Sequence, residues 1–351
     1  MTRSHIAIIG AGMAGVVAAR TLTQAGHRVT LLEKSRGFGG RMSNRRSDFG
    51  GFDHGAQYFT VRDPRFQKAL TQTAQGVVAP WQANTVRVLD DGGRVLAAAP
   101  APKDTRYVAT PGMNALVAHW AAPLVQGLGD ARVLLNTRVT RIERDRLNAQ
   151  RWQLCCDSTA ADAVASPVLG GFDKVLVAAP HVQALDLLRA SQLAVGWQEQ
   201  LQAVSVAPCW TLMLAFPHAV GGAALGPSWH AARSGHHRIA WLARETSKPG
   251  RGAVERWTVQ ASPAWSARHL EDDEERVKAK LVKGFAEITG IRTEPAHAAV
   301  HRWLYAQTDQ ALGVSHLLDR TAGLGLCGDW CLGNRVEAAF VSGLELALNT
   351  K

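Results

Sequence analysis

Three glycines near the start of the chain have the spacing of a phosphate-binding turn. Gly10, Gly12 and Gly15 follow the branched apolar run His5–Ile9 and precede Val16–Ala25, whose composition favours a helix. In such a strand–turn–helix unit the first glycine permits the tight turn, the second lets a pyrophosphate approach, and the third lets the helix pack on the sheet. Amides at the helix N-terminus then face the phosphates. The pattern predicts a dinucleotide site rather than an unliganded glycine-rich turn.

An acidic residue completes this unit after the next predicted strand. Gly26 ends the helix, Arg28–Leu32 forms the strand, and Glu33 follows it, 23 residues after Gly10. A carboxylate at this place accepts hydrogen bonds from ribose hydroxyls. It would also repel a 2′-phosphate, so the sequence disfavours NADP at this particular site.

A second glycine cluster lies directly after Glu33. Lys34 begins a glycine-rich stretch that ends at Arg41, which places flexible backbone and a cation near a diphosphate. A nicotinamide dehydrogenase does not need this cluster. The arrangement resembles that of glutathione-reductase-type flavoproteins, specifically the flavin amine oxidase superfamily. The resemblance implies non-covalent FAD, with Glu33 on the adenosine ribose and Arg41 near the pyrophosphate or the flavin.

The far end of the chain agrees with this interpretation. A short strand runs into a turn at Gly328 and Asp329, and a helix is expected over Ala338–Leu348. In the same superfamily such a carboxylate binds the flavin ribityl chain, and the helix aims its N-terminal amides at the flavin pyrimidine oxygen. A helix N-terminus carries about half a positive charge, which would stabilise anionic reduced flavin. Taken alone, Asp329 would equally suit a turn or a helix cap.

The middle of the chain supplies further strands to the predicted cofactor domain. Arg132–Glu143 alternates as a strand, and similar flavoproteins place backbone near Val139 against the adenine. Lys174–Pro180 forms another buried strand. We therefore expect a discontinuous FAD-binding domain of residues 1–75, 108–183 and 320–351, with 76–107 and 184–319 as the substrate domain.

Longer stretches resemble a narrower family, the bacterial renalases, over essentially the whole chain. They are Asp53–Thr60, Pro111–Ala115, Trp241–Arg244, Ser247–Arg251, His301–Ala306 and Cys327–Leu332. The resemblance implies an FAD-dependent oxidase that moves a hydride from 1,2- or 1,6-dihydro-NAD(P) isomers to flavin N5 and then to O2. The products would be NAD(P)⁺ and H2O2. Two positions depart from the family: Gln260 replaces a common His, and Glu245 replaces a usual Asn.

The sequence of the substrate domain predicts the strands of a sheet and one amphipathic helix. Strands are expected over Cys209–Phe216, His237–Leu242 and Glu255–Ala261, and the helix over Asp272–Ile288. Ser247–Gly252 is expected to be a polar turn. The predicted fold class is α/β (α+β overall), a glutathione-reductase-type doubly wound FAD-binding domain with a mixed or antiparallel-sheet substrate domain. This architecture is that of amine oxidases and p-hydroxybenzoate hydroxylase.

Positioning a hydride donor asks little of side chains, so we expect no general base and no catalytic triad. Trp303 is predicted to stack on a nicotinamide, and Arg302 is a candidate phosphate contact. The predicted catalytic residues are Trp303, Gln260, Tyr58 and Trp241. The predicted cofactor-binding residues are Gly10, Gly12, Met13, Gly15, Glu33, Lys34, Arg41, Gln57, Tyr58, Phe59, Val139, Gly328, Asp329, Arg335, Val336 and Glu337.

Composition limits the remaining classes. The 351 residues are 46% hydrophobic and 19% charged, as in ordinary globular proteins, and no apolar run is long enough for a membrane helix. Lys and Arg total 39 against 29 Asp and Glu, which favours anionic partners, but no nucleic-acid signature accompanies this charge. Five cysteines fit a reduced cytoplasmic protein, and Cys327 with Cys331 lacks further metal ligands, so no metal is expected.

The expected partners are a dinucleotide substrate and O2, with no nucleic acid or membrane, and a monomer or weak dimer. Two other functions share the FAD motifs. One is a flavin amine oxidase acting on a small amine, and the other is a non-catalytic FAD-binding redox sensor.

Overall fold

A computed structural model of the chain describes residues 3–82, 86–98, 104–158, 167–193, 195–217 and 225–350. Its strands, in chain order, are β1 (His5–Ile9), β2 (Arg28–Leu32), β3 (Arg45–Ser47), β4 (Gly50–Phe52), β5 (Val78–Pro80), β6 (Val86–Leu89), β7 (Val95–Ala98), β8 (Tyr107–Ala109), β9 (Arg132–Leu134), β10 (Thr137–Arg144), β11 (Trp152–Ser158), β12 (Val168–Phe172), β13 (Lys174–Val177), β14 (Ser205–Phe216), β15 (Ala231–Ser234), β16 (Ile239–Arg244), β17 (Glu255–Ala261), β18 (His297–Gln310), β19 (Leu317–Asp319) and β20 (Leu324–Leu326).

The helices of the described residues lie between or after these strands in the chain. They are α1 (Met13–Gln24), α2 (Pro64–Thr73), α3 (Asn114–Val125), α4 (His181–Ala190), α5 (Val195–Gln202), α6 (Pro263–Arg268), α7 (Glu274–Thr289) and α8 (Val336–Thr350). Within the described ranges, none of them combines the length and apolar character needed to cross a membrane.

A six-stranded sheet forms the first half of the fold, in the order β19-β20-β13-β1-β2-β9. Its pairs are parallel except β19 with β20. Successive side chains of a strand point to opposite faces: Ile6 and Ile8 of β1 join a core with α1, α3 and α8, whereas Ala7 and Ile9 join a core with α4. Both faces of the sheet are therefore covered, as a doubly wound fold requires.

A seven-stranded mixed sheet forms the second half, in the order β18-β14-β17-β16-β15-β6-β7. Its neighbours are antiparallel except β15 with β6. One face packs on α7, which buries Val277, Leu281 and Phe285. The helix begins after Asp273, whose side chain accepts from two first-turn amides, a cap that stabilises a helix by about 1 kcal/mol.

Three predicted boundaries are wrong. Arg132–Glu143 is not one strand, because Asn136 adopts a φ of 51° and separates β9, in the six-stranded sheet, from β10, in a three-stranded sheet. Leu317–Asp319 pairs with β20 and so lies in the cofactor sheet, not the substrate domain. The last helix begins at Val336 rather than at Ala338.

Candidate active site

One large cleft lies where the two sheets meet, with a volume of about 2140 Å³. This exceeds the roughly 300–1,000 Å³ of a site for one small ligand. We call the wall formed by residues 9–14, 32–42, 137–140, 178–190 and 328–339 the cofactor half, and the wall formed by 43–46, 54–58, 209, 233–234, 240–241, 260 and 301–307 the substrate half. The cofactor half follows the carboxyl ends of β1, β2, β13 and β20, where ligands of open α/β sheets bind.

The glycine turn has the geometry that the sequence predicts. Gly10 has a φ of +106°, and a Cβ there would lie 2.5 Å from the carbonyl oxygen of Ala178. A Cβ on Gly15 would lie 1.8 Å from the carbonyl oxygen of Gly10, so only glycine lets α1 pack this closely. At Gly12, by contrast, a Cβ would meet nothing within 4 Å. Gly12 caps α1 without a side-chain hydrogen bond, and Met13 lines the cleft beside it.

Glu33 lies at the end of β2 and is held by backbone amides on both sides. Its Oε2 accepts from Ala11 N at 2.8 Å, and its Oε1 accepts from Ser35 N at 2.8 Å. These bonds fix the carboxylate in the wall of the cleft. Lys34 also lines the cleft, and its Nζ donates to Gln183 Oε1 at 3.3 Å.

Arg41 and Asp329 meet although 288 positions separate them. The guanidinium binds the carboxylate through two parallel hydrogen bonds, of which Nη1 to Oδ2 is 2.9 Å. Asp329 is buried and Arg41 is partly exposed in the cleft. The predicted pyrophosphate and ribityl contacts are therefore neighbours, and Gly328 lines the wall beside them.

The start of α8 also borders the cleft. Arg335 and Val336 line it, whereas the Glu337 carboxylate turns away and accepts from the amides of Arg62 and Asp63, the latter at 2.7 Å. The Glu337 side chain thus anchors the loop that leads into α2, which leaves the backbone amide of Glu337 for the predicted contact of this helix start with the cofactor.

Two further predicted cofactor residues differ in their placement. Val139 lies at an irregularity in the pairing of β10 with β11 and faces the cleft. Phe59 does not line the cleft. It is 3% exposed and packs in the core, with its ring 5.8 Å from that of Tyr107. A direct contact between Phe59 and the cofactor is thus not supported, because the aromatic core holds this ring.

Three of the predicted catalytic residues form a row across the substrate sheet. In the strand register Trp303 of β18 is opposite Cys209 of β14, and Gln260 of β17 is opposite Trp241 of β16. Gln260 is also opposite Thr211, two residues beyond Cys209 on the same face. The sheet therefore brings all of these residues to one wall.

The loop of residues 53–58, which we call the floor loop, is bound to this row. Trp303 Nε1 donates to the carbonyl oxygen of His54 at 2.9 Å, and Gln260 Nε2 donates to that of Gly55 at 2.7 Å. Tyr58, at the end of the loop, packs against Trp241 with ring centroids 5.9 Å apart. The indole N–H of Trp303 is thus engaged, so its ring is the part that remains for a ligand.

Two histidines frame Trp303. The His54 ring stacks on the indole at 5.1 Å, and the His301 ring meets it edge-on at 4.4 Å. Burial, the neighbouring His301 and the Arg45 charge lower the pKa of His54 to about 4. Burial and Arg45 likewise lower the pKa of His301. Both imidazoles are therefore neutral at neutral pH, and one side of Trp303 is already covered.

The two halves of the cleft differ in the carboxylates that line them. The lining carboxylates, Glu33, Asp186 and Asp329, all belong to the cofactor half. Arg45, Arg46 and Arg233 line the substrate half, and the structure shows no ion pair for any of them over the ranges that it describes.

The remaining arginine of this wall, Arg302, binds acceptors that lie outside the cleft. The side chain of Arg302 donates to Leu270 O at 2.8 Å and to the carboxylate of Glu271 at 3.2 Å. Its expected role as a phosphate contact is therefore not supported.

Four residues of the substrate half are not predicted as site residues from the sequence. They are His54, His301, Arg45 and Arg233. The two histidines lie inside stretches that carry the renalase resemblance, so that signal was present. The arginines have no signal in sequence, because any of the 39 basic residues could be simply exposed.

The residues of the cofactor half fit FAD. The open space at Gly12, the helix N-terminus without a side-chain cap and the fixed carboxylate of Glu33 would accept a pyrophosphate and a ribose. The cleft also extends far enough for a second ligand beside the flavin. Fold and site together define a flavoprotein of the doubly wound class.

Comparison with known families identifies the class more closely. Residues 8–73 match the NAD(P)-binding Rossmann-like domain, and residues 89–348 match the flavin containing amine oxidoreductases. The chain belongs to this second family, and FAD is its cofactor.

Similar proteins agree on the fold. A putative protoporphyrinogen oxidase from Exiguobacterium sp. 255-15 superposes with a TM-score of 0.76 at 13% identity, and 99% of each chain is covered. A wild-type putrescine oxidase bound to putrescine gives a TM-score of 0.70 at 13% identity, also with 99% of each chain. These matches confirm the predicted fold class.

Sequence relatives match over a short segment only. A putative L-amino-acid oxidase YobN of Bacillus subtilis (strain 168) is 56% identical over 45 residues, which are 13% of this chain and 9% of the relative. An L-amino-acid oxidase of Bungarus fasciatus is 54% identical over 44 residues, 12% of this chain and 8% of the relative.

Proposed function

We propose that this protein is an FAD-dependent oxidase whose electron donor is an anionic dihydronicotinamide dinucleotide, a 1,2- or 1,6-dihydro isomer of NAD(P). The donor loses a hydride and becomes NAD(P)⁺, and O2 with one further proton takes up the hydride equivalent as H2O2. Bound FAD supplies the two-electron acceptor that links these half-reactions.

The observation that carries the proposal is the charge of the substrate half. Arg45, Arg46 and Arg233 line the cleft, and none of them has a carboxylate partner within the described part of the chain. Positive charges in a cleft attract an anion and raise its local concentration. A diphosphate-bearing substrate gains from this field, whereas a protonated amine is repelled by it.

The row on the substrate sheet would hold the nicotinamide ring. The side of Trp303 not covered by His54 offers a flat surface for stacking. The side-chain amide nitrogen of Gln260 donates to Gly55 O. The side-chain carbonyl oxygen of Gln260 therefore remains as an acceptor for a carboxamide N–H. Holding the donor carbon in place is the main task, since a dihydropyridine is already a good hydride donor.

Proton transfer is not required of the side chains in this reaction. Hydride loss from a dihydropyridine breaks only a C–H bond, and no N–H or O–H proton must be removed. The neutral His54 and His301 beside Trp303 agree with a packing role for these rings.

Anaerobic titration of the purified protein tests the proposal. We expect dihydro-NAD(P) isomers to bleach the flavin absorbance rapidly and air to restore it with one H2O2 for each flavin. Bleaching by small amines or L-amino acids, but not by the isomers, would instead support an amine oxidase. A flavin that no donor reduces would support the redox sensor, and either result would reject the proposal.

A further inference from the structure

Four charged side chains lie buried together at the floor loop, and one of them belongs to the loop itself. Asp53, Glu245, Lys248 and Arg251 are 0%, 0%, 2% and 6% exposed, and we call them the buried charge cluster. Lys248 Nζ lies 3.2 Å from Asp53 Oδ2 and 3.1 Å from Glu245 Oε1, and Arg251 Nη2 lies 2.6 Å from Asp53 Oδ2. In the turn expected to be polar, Lys248 and Arg251 are thus buried, whereas Gly250 and Gly252 are exposed.

The ammonium group of Lys248 has an acceptor for each of its N–H donors. Besides the two carboxylates it donates to Gln57 Oε1 at 3.2 Å. The amide nitrogen of Gln57 in turn donates to the backbone carbonyl of Asp53. Gln57 lines the cleft, so it joins the buried charge cluster to the active-site wall.

The cluster connects segments from both halves of the fold. Asp53 Oδ1 accepts from Asn44 Nδ2 at 2.8 Å and from Met113 N at 2.9 Å, beside the start of α3. Glu245 Oε1 accepts from Asp53 N at 3.1 Å and from Thr258 Oγ1 of β17 at 2.6 Å. Burial opposes ionisation of Asp53, but Lys248 and Arg251 outweigh it and lower the pKa of this carboxyl.

Such a cluster is a poor device for stability alone. Each buried ion loses several kcal/mol of hydration, and well-packed apolar residues often replace buried ion pairs without loss. What the charges supply here is direction, because the bonds that reach Asp53 and Gln57 each fix one atom of the floor loop. The same loop presents the carbonyls that bind Trp303 and Gln260.

We propose that Lys248 is a positioning residue. It holds Gln57 and the floor loop in the position that the cofactor and the Trp303–Gln260 row require. It touches neither cofactor nor substrate and acts through Gln57. Glu245 belongs to this device, since it supplies the second negative charge against Lys248 and Arg251.

A double-mutant cycle on FAD binding tests this role without any substrate. Apoproteins of wild type, K248M, Q57L and the double variant would be titrated with FAD, following quenching of flavin fluorescence and the visible circular dichroism of the bound flavin. We expect each single variant to weaken FAD binding about tenfold and to alter the dichroism in the same way. The double variant should bind no more weakly than the poorer single variant.

Thr258→Val is the matched control, because it removes one hydrogen bond to Glu245 but leaves the Lys248–Gln57 contact. It should lower the melting temperature while FAD affinity stays within about twofold of wild type. Effects of K248M and Q57L that multiply in the double variant, or wild-type FAD binding by K248M, would overturn the proposal.

Lys248→Arg addresses the case in which K248M does not fold. It keeps the charge that Asp53 and Glu245 need, but a planar fork cannot place three donors in the directions of an ammonium group. We expect K248R to fold and to bind FAD more weakly, with altered dichroism. A folded K248R with wild-type affinity and dichroism would contradict the positioning role.

Discussion

The two halves of the cleft balance their charges differently. In the cofactor half, Glu33 is bound by two nearby amides, and Arg41 is paired with Asp329. In the substrate half, Arg45 and Arg233 have no carboxylate partner among the residues that the structure describes. The first half therefore holds its carboxylates in fixed contacts before any ligand binds, whereas the second has no lining carboxylate and keeps a positive field that an anionic ligand would neutralise.

Substitutions in the glycine turn should have the largest effects. Gly15 packs against backbone, whereas Gly12 borders the space that a ligand would fill. Gly15→Ala places a Cβ against the carbonyl oxygen of Gly10, where backbone must move. We expect a loss of at least about 3 kcal/mol of folding free energy and no bound flavin. Chemical denaturation and the flavin content of purified protein measure both.

Gly12→Ala is the counterpart, because its Cβ enters open space in the cleft. We expect the unfolding free energy of the apoprotein to stay within about 1 kcal/mol of wild type and FAD affinity to fall at least about tenfold. Equal destabilisation of the apoprotein by both substitutions would refute the assignment of Gly12 to the phosphate site.

The next effect concerns pH and the histidines of the substrate half. The pKa of His54 is about 4 in the fold against 6.5 in an unfolded chain, so the unfolded chain binds the proton first as the pH falls. The part of the unfolding free energy that depends on a neutral His54 is fully present above pH 6.5. It declines below that pH and is lost by about pH 4. At 1.36 kcal/mol for each tenfold step in proton affinity, the loss is about 3 kcal/mol.

Denaturation of wild type and His54→Gln between pH 7 and pH 4.5 measures this term. The variant should lose less stability on acidification, and the same substitution at the exposed His237 serves as the control. A pH dependence unchanged by His54→Gln would mean that His54 is not held neutral in the fold.

A smaller effect is expected at the Arg41–Asp329 pair. Asp329→Asn removes the charge that holds Arg41 and the predicted ribityl contact. Hydrogen bonds to charged groups contribute about 1.5–3 kcal/mol, so FAD affinity should fall about tenfold to a hundredfold. Wild-type affinity in Asp329→Asn, by equilibrium titration of apoprotein, would show that the cofactor does not use this carboxylate.

The smallest effect tests the exposed arginines. Arg45→Gln or Arg233→Gln should raise KM for a dihydro-NAD(P) isomer about threefold to fivefold, with kcat unchanged, because exposed charge pairs contribute up to about 1 kcal/mol. Added salt should narrow the difference from wild type. A fall in kcat at constant KM would assign these arginines to something other than binding the anion.

The sequence predicts the cofactor half well because its determinants are local. Gly10, Gly15 and Glu33 act within one strand–turn–helix–strand unit, and the turn at Asp329 lies directly after a strand. Such short patterns fix both the element and the position of the residue in it. The fold class follows from the same units.

The substrate half depends on contacts that no local pattern reveals. The 53–58 loop binds Trp303 across 249 positions, and Lys248 is buried in contact with Asp53 and Gln57, more than 190 positions away. A lysine in a polar turn looks solvated in sequence. The amides of Arg62 and Asp63 likewise donate to the Glu337 carboxylate across more than 270 positions, a contact that no local pattern predicts.

We propose that the substrate half selects an anionic hydride donor. A comparison of two donors that differ in the diphosphate tests this selection. The anaerobic rate of flavin bleaching would be measured for a dihydro-NAD isomer and for the matching dihydronicotinamide riboside, which lacks the diphosphate, at low and high salt. We expect the dinucleotide to bleach the flavin at least about tenfold faster than the riboside at low salt, and added salt to reduce this ratio. Equal rates for the two donors at low salt would contradict it.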